Sequence, residues 1–305
     1  MQAPGGSEIL LVANPTSGRG RAGRWVERAR QRLTGERLGH HLVTKRGEAG
    51  ELLARERGRF GEYWVFGGDG TFNDLAQHLV EVAPARVAIF PAGTGNVVAR
   101  DLGVPLSFEG AWGAARGSSL RPFDLLQVNG RRAAFMVSAG LDAELAHRVA
   151  ERRTGPMRRI DWLLAAIASP RSASEPRVRV VADGRDLGEA RYAAVFNCGL
   201  YAGGFRVCPS ARFDDGQLDV LLLREAIRPR WARVVWAALR HRPDRLPDAT
   251  LVSARSVELR GVERSQVDGD PGPQGELAIS VLPGALLLRA GGIAGAPVVR
   301  PAPRA

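Results

Sequence analysis

Lysine and cysteine are nearly missing from this 305-residue sequence: Lys45 is the only lysine, and Cys198 and Cys208 are the only cysteines. With no His or Cys partners nearby, the two thiols make a poor metal site, and they are expected to be the reduced thiols of a cytoplasmic protein. No apolar run reaches the roughly 18 residues of a membrane helix. The most apolar long run, Tyr192 to Phe205, is interrupted by Asn197 and several glycines. The start, Met1 to Glu8, lacks a basic region followed by an apolar one, so no secretion signal is expected. The five histidines (His40, His41, His78, His147 and His241) form no pattern, and H-E-x-x-H is absent. None is expected to be catalytic. A P-loop is excluded because G-x-x-x-x-G-K-[ST] does not occur.

What is present is the composition of a soluble globular protein, long enough to bury a core in one large or two modest domains. The net charge of +11 is carried almost wholly by arginine. A basic surface suits anionic lipid, nucleic acid or nucleotide. No zinc-finger, RNP-like or helix-turn-helix signature supports nucleic acid, which is not expected as a partner.

The first 120 residues alternate strand and helix signals. Strands are expected at 9–13, 41–44, 63–66 and 86–90, and helices at 22–33, 49–57, from Asn73, and at 97–102. This rhythm predicts an α/β domain with a mostly parallel sheet. After Pro122 the pattern changes to strand-like runs at 125–128, 133–137, 177–181, 192–197, 218–223, 257–259 and 277–281. Asn129-Gly130, Asp183-Gly184 and Asp215-Gly216 supply turns between many of them. Helical insertions are expected near 142–168 and 229–241. The expectation is a second, mainly antiparallel β domain over 124–283, and a frayed tail from Gly291.

Three polar, Gly-containing loops follow the first, third and fourth strands, where ligands bind in such sheets. They are Asn14-Pro15-Thr16-Ser17-Gly18-Arg19-Gly20, Gly67-Gly68-Asp69-Gly70-Thr71-Phe72-Asn73 and Pro91-Ala92-Gly93-Thr94-Gly95-Asn96. Glycines let a backbone approach a polyanion closely, and a helix start offers free N–H groups to phosphate. Taken singly, the first and third also read as ordinary β-to-α loops, the first with Thr16 or Ser17 as a helix cap. Three in succession predict one phosphate-binding crevice.

Later segments extend the pattern in order: Ala139-Gly140-Leu141-Asp142-Ala143, Asn197-Cys198-Gly199, Ala202-Gly203-Gly204, Pro209 to Leu218 and Gln266-Val267-Asp268-Gly269-Asp270. Over residues 9 to about 290 the chain resembles the diacylglycerol kinase catalytic-domain family, which spans bacterial diacylglycerol kinase-like and sphingosine kinase-like lipid kinases. The resemblance implies a nucleotide cleft between an N-terminal NAD kinase/diacylglycerol kinase-like α/β domain (1–123) and a C-terminal β-sandwich. A final strand over Ala285–Arg289 would return to the first domain. ATP would be bound by Asn14, Pro15, Thr16, Ser17, Gly18, Thr44, Gly67, Gly68, Asp69, Gly70, Thr71, Phe72, Asn73 and Thr94.

By the same resemblance, Asp215 would hold Mg²⁺ with the carbonyls of Arg212 and Gln217, a hard-oxygen set that suits this ion. From the residues alone, Asp214-Asp215-Gly216 is a plain hairpin turn. The family commonly has Asp-Gly-Glu, with the Glu as proton acceptor, where this chain has Asp268-Gly269-Asp270. Asp270 then takes the acceptor's place with a shorter side chain, Asp268 is the other catalytic candidate, and Asp69 is expected to order its loop. The implied activity is an ATP-dependent lipid kinase of phospholipid metabolism, with a lipid alcohol as substrate and peripheral contact at an anionic membrane. A homodimer is compatible with it. Two other readings compete: an NAD kinase-like enzyme, which shares Gly-Gly-Asp-Gly-Thr but carries further segments missing here, and a non-catalytic nucleotide or lipid sensor. Two basic apolar stretches, Arg148 to Leu164 and Pro229 to His241, suit either a membrane surface or docking on the β domain.

Overall fold

The computed structural model describes residues 8–36, 38–42, 47–56, 59–80, 85–117, 120–151, 175–201 and 205–291. The N-terminal elements are β1 (Glu8–Ala13), α1 (Ser17–Arg32), β2 (Leu38–Leu42), α2 (Glu48–Arg55), β3 (Phe60–Gly67), α3 (Asp69–Leu79), β4 (Arg86–Pro91), α4 (Val97–Asp101) and α5 (Phe108–Gly117). Strands β2, β1, β3 and β4 lie side by side and parallel, as the alternating rhythm predicts. A central parallel strand is covered on both faces, so β1 and β3 read as nearly unbroken apolar runs rather than alternating ones. The helices bury one stripe each: Ala22, Val26 and Ala29 on α1, and Phe72, Leu75, Ala76 and Leu79 on α3. Helix α5 was not expected from the sequence; it buries Phe108, Ala111, Ala114 and Ala115 with helical spacing between small residues.

The second half contains β5 (Leu120–Val128), β6 (Arg131–Ala133), β7 (Met136–Ala139), α6 (Leu141–Glu151), β8 (Val178–Ala182), β9 (Arg185–Ala190), β10 (Tyr192–Phe196), β11 (Leu200–Tyr201) and β12 (Phe205–Arg206). After these come β13 (Leu218–Leu223), α7 (Trp231–Leu239), β14 (Ala249–Ala254), β15 (Ser256–Val262), β16 (Ser265–Val267), β17 (Asp270–Pro271) and β18 (Gly275–Arg289). Asn129-Gly130 and Asp183-Gly184 turn their hairpins with both residues at positive φ, the geometry that two-residue loops require. One antiparallel sheet runs β14-β13-β10-β7-β16-β17. It packs against the β5, β8, β15 and β18 part of the larger sheet. Leu126, Val180, Val257, Leu259 and Ile279 face Val137, Val195, Val220 and Leu222 there in one fully buried core. Burying each such side chain contributes about 1.5–3 kcal/mol.

The last strand returns to the first domain's sheet, but not as a separate strand. The runs at 277–281 and 285–289 are one strand, the 15-residue β18. Its first half pairs antiparallel with β15, and its last residues pair parallel with β4, while β5 follows it along almost its whole length. The shift in register falls between Leu282 and Leu286, around Pro283 and Gly284, where Gly284 has φ +56°. One ten-stranded sheet therefore runs from the nucleotide loops into the sandwich. The predicted run 133–137 is likewise two strands, β6 and β7, parted at Ala134 and Phe135. Thr44, Ala202-Gly203-Gly204, residues 152–164 of the first basic stretch and the tail beyond Gly291 lie outside the described residues.

Candidate active site

The loops after β1, β3 and β4 meet edge to edge. Gly18 sits at φ +61°, and a Cβ there would overlap the Ala92 carbonyl oxygen. A Cβ on Gly68 would lie 3.0 Å from the Gly93 Cα, so two further glycines touch backbone to backbone. Gly18, Arg19 and Gly20 are all left-handed, which turns the chain before α1 proper begins. Asn14 ties the first loop together by accepting from the Thr16 N–H (3.1 Å) and hydroxyl (2.8 Å). The Ala92 N–H donates to the Gly67 carbonyl at 2.8 Å, locking the third loop to the second. Arg21 donates to the carbonyls of Ala92 (2.8 Å) and Gly93 (3.1 Å), so the first loop is clamped to the third as well.

Within the second loop, Thr71 packs beneath Gly67, and Phe72 is buried edge-on to Phe123 at 6.0 Å. Gly70 and Thr94 are exposed at the rim. Asp69 accepts from the Val98 N–H at the start of α4 (3.3 Å). Burial raises its carboxyl, while the N–H groups of Val98, Val97 and Asn96 pull it back down. The acid thus ties its own loop to the start of α4. Among the described residues, Asn73 Oδ1, Asn96 Oδ1 and Arg21 Nε are buried without a hydrogen-bond partner. Orphaned buried polar atoms are uncommon in native proteins, and these three lie on or beside the converging loops.

The acidic turn at 268–270 reaches the same neighbourhood. Asp268, at φ +53°, accepts from three successive N–H groups: Ala134 (2.6 Å), Phe135 (3.0 Å) and Met136 (2.9 Å). Burial nevertheless carries its carboxyl up to about 7, and the charge of Asp69 pushes the same way. Asp101, Asp268 and Asp69 in turn help burial hold the Cys198 thiol well above its ordinary range. Cys208 is pushed up to about 12 by its own burial. Both cysteines are free and buried, in agreement with the reading of them as thiols. Asp270 stands in β17, paired with Val267 on the far side of Gly269.

The turn at 212–217 lies beside a cleft of about 520 Å³ bordered by Pro122, Asp124, Asp214, Asp215, Pro283 and Gly284. Asp215 Oδ1 accepts from the Gln217 N–H at 3.0 Å, and Asp214 pairs with Arg121 and Arg212. Asp124, which sequence reasoning missed, accepts from Gly216 and from Gly284, each at 2.7 Å. Burial raises its carboxyl first; the two N–H groups lower it, and Asp215 and Asp214 raise it further. An acid inside the apolar run Phe123-Asp124-Leu125-Leu126 was the signal for it. Among the described residues no three acids, histidines or cysteines are grouped to hold a metal. A cation here would draw instead on one carboxylate, main-chain carbonyls and water, a donor set that fits a hard ion such as Mg²⁺.

Residues 8–128 match the diacylglycerol kinase catalytic domain, and residues 135–290 match the YegS C-terminal NAD kinase beta sandwich-like domain. A "probable lipid kinase YegS-like" protein of Pseudomonas aeruginosa (strain UCBPP-PA14) is 30% identical over 283 residues, covering 90% of this chain and 91% of its own. A diacylglycerol kinase of Bacillus subtilis (strain 168) is 26% identical over 85% of this chain and 88% of its own. In fold, the crystal structure of a diacylglycerol kinase from Bacillus anthracis str. Sterne superposes with a TM-score of 0.75 at 22% identity, covering 94% and 98% of the two chains.

Proposed function

The chain belongs to the diacylglycerol kinase catalytic-domain family of lipid kinases, and from that premise we propose that it transfers the γ-phosphoryl group of ATP to the hydroxyl of a diacylglycerol or sphingoid-type lipid. The observation that carries this reading is the contact of the three glycine loops, Gly18 against Ala92 and Gly68 against Gly93, beside Asp268. Loops packed this closely present backbone N–H groups and the free end of α3 to a polyphosphate. Arg21 and the unpartnered amide oxygens of Asn73 and Asn96 supply further polar atoms for the nucleotide.

In the transfer, the lipid oxygen forms a bond to the γ-phosphorus as the bond to the bridging oxygen of ADP breaks. The hydroxyl proton goes to a carboxylate. Asp268 already accepts three N–H groups, which suits it to hold the turn in place. Asp270 is then the group that orients the alcohol and takes its proton. Asp215, with the carbonyls of Arg212 and Gln217, would hold a Mg²⁺ ion, which when bound supplies positive charge beside neighbouring acids. The lipid acceptor makes peripheral contact with a membrane part of the same reading. Purified protein given labelled ATP, Mg²⁺ and a panel of diacylglycerol, monoacylglycerol and sphingoid base tests it. Labelled lipid phosphate is expected from at least one acceptor, and no transfer to any of them overturns the reading.

A further inference from the structure

We propose that helix α7 and the residues just after it form the face that docks on an anionic lipid surface, with Trp236 as the inserted side chain and Arg233, Arg240 and Arg242 as headgroup contacts. The segment from Pro229 to Arg242 contains four arginines and no acid. One side of α7 is spoken for. Ala237 is buried and Val234 packs with it against Leu141, Leu223, Ile227 and Leu246, and Arg230 is anchored on Asp248. The helix therefore does dock on the β domain, but that docking leaves its neighbouring flank bare.

On that flank Trp236 is 58% exposed. Among the described residues only it and Leu42 are large apolar side chains left so open to solvent. Arg233, Trp236 and Arg240 follow the i, i+3, i+7 spacing of a single helical stripe, and the Arg240 guanidinium lies 4.5 Å from the Trp236 ring centroid. Arg233, Arg240 and Arg242 are exposed, and no acid among the described residues pairs with any of them. An indole that is apolar in body and polar at one edge, set between uncompensated cations, matches the headgroup boundary of an anionic bilayer. A solvent-facing Trp on an otherwise packed protein has no comparable stabilisation in water.

The face is also placed to be useful. His241 Nδ1 meets the Arg206 carbonyl at 3.0 Å, and the Arg206 guanidinium pairs with Asp101 at 2.9 Å at the end of α4. The start of α4 is held by Asp69 of the second glycine loop. Docking through α7 thus brings the membrane to an element linked through Arg206 to α4, the helix whose start Asp69 holds. The purpose of the face rests on the lipid-kinase reading, but the docking does not require turnover.

Flotation without ATP, using vesicles of phosphatidylcholine alone and of phosphatidylcholine with phosphatidylglycerol, tests the proposal. The full-length protein is expected to bind the anionic vesicles at least tenfold more tightly than the neutral ones. Trp236→Ser, and separately the pair Arg233→Glu and Arg240→Glu, should each weaken that binding at least tenfold. Phosphorylation of a short-chain acceptor dissolved as monomers should stay within twofold in each variant, which also reports that they fold. Binding without preference for anionic vesicles, or binding unchanged in the variants, overturns the proposal. So does a Trp236-dependent dimer in sedimentation with no vesicle binding, which would make a second copy the occupant. If the wild type binds vesicles as expected but phosphorylates nothing, the catalytic reading fails and the docking face stands.

Discussion

Gln77 and Arg132 grip each other in both directions across the two halves of the molecule. The Gln77 amide donates to the Arg132 carbonyl at 2.5 Å and accepts from the Arg132 N–H at 2.9 Å, and the Arg132 guanidinium donates to the Gln77 carbonyl at 2.6 Å. Gln77 stands two turns along α3 from the glycine loop. Arg132 stands in β6, just before the three N–H groups that Asp268 receives. The pair therefore sets the spacing between the nucleotide loop and the acidic turn.

Gln77→Ala leaves both backbone groups of Arg132 without that partner, a loss of roughly 1–3 kcal/mol. Urea unfolding should show the loss. Turnover should fall more than it does in Arg132→Ala, which keeps the two bonds to the backbone. Equal effects of the two substitutions would mean that the amide is not the joint.

Gly18→Ala places a Cβ into the Ala92 carbonyl at a backbone angle that costs a side chain about 1–3 kcal/mol. The loops can relieve this only by parting. A rise of at least tenfold in the KM for ATP is expected, with a smaller change in the KM for lipid. Calorimetric titration of ATP checks it.

The carboxyl of Asp268 lies at about 7 in the folded chain and near 3.9 when unfolded. Between those values the folded state holds the extra proton, so stability falls as pH rises from about 4 to 7 and this contribution is flat above. Denaturation at pH 5 and pH 7.5 should show the protein more stable at pH 5 from this source. Asp268→Asn should flatten the slope. At pH 7.5 it should also cost the hydrogen bond from the Ala134 N–H, because an amide offers one acceptor oxygen where the carboxylate offers two.

Asp270→Asn removes the proposed proton acceptor and leaves the glycine loops untouched. Turnover should drop at least a hundredfold while ATP binding stays within threefold. Unchanged weak turnover would favour a sensor over a kinase.

Mg²⁺ added without nucleotide should raise the melting temperature of the wild type if the turn at 212–217 takes the ion, since a ligand bound only by the folded state stabilises it. Asp215→Asn should abolish the rise, and Ca²⁺ should substitute in part. A rise of equal size in the variant would remove Asp215 from the ligand set.

Much of this could be read along the chain because it is local. The strand–loop–helix alternation of the first 120 residues gave a parallel sheet, and the Asn129-Gly130 and Asp183-Gly184 pairs gave two hairpins, because positive φ is a property of the residues themselves. Helix α5 escaped notice because alanine and glycine mark its buried face only weakly. Asp124 escaped notice because its importance lies in Gly216 and Gly284, both far along the chain.

By itself, the sequence determined the glycine loops, the βα alternation of the first half and the two acidic turns, since backbone freedom and apolar periodicity act over a few residues. Only the tertiary structure decided what surrounds each acid. It gave Asp268 three N–H groups, tied Asp69 to α4 and drew the last two strand signals into the single strand β18. It also decided that α7 buries Ala237 and leaves Trp236 in solvent. Hydrogen bonds and burial between distant segments depend on where the folded backbone brings them, and no local pattern records that.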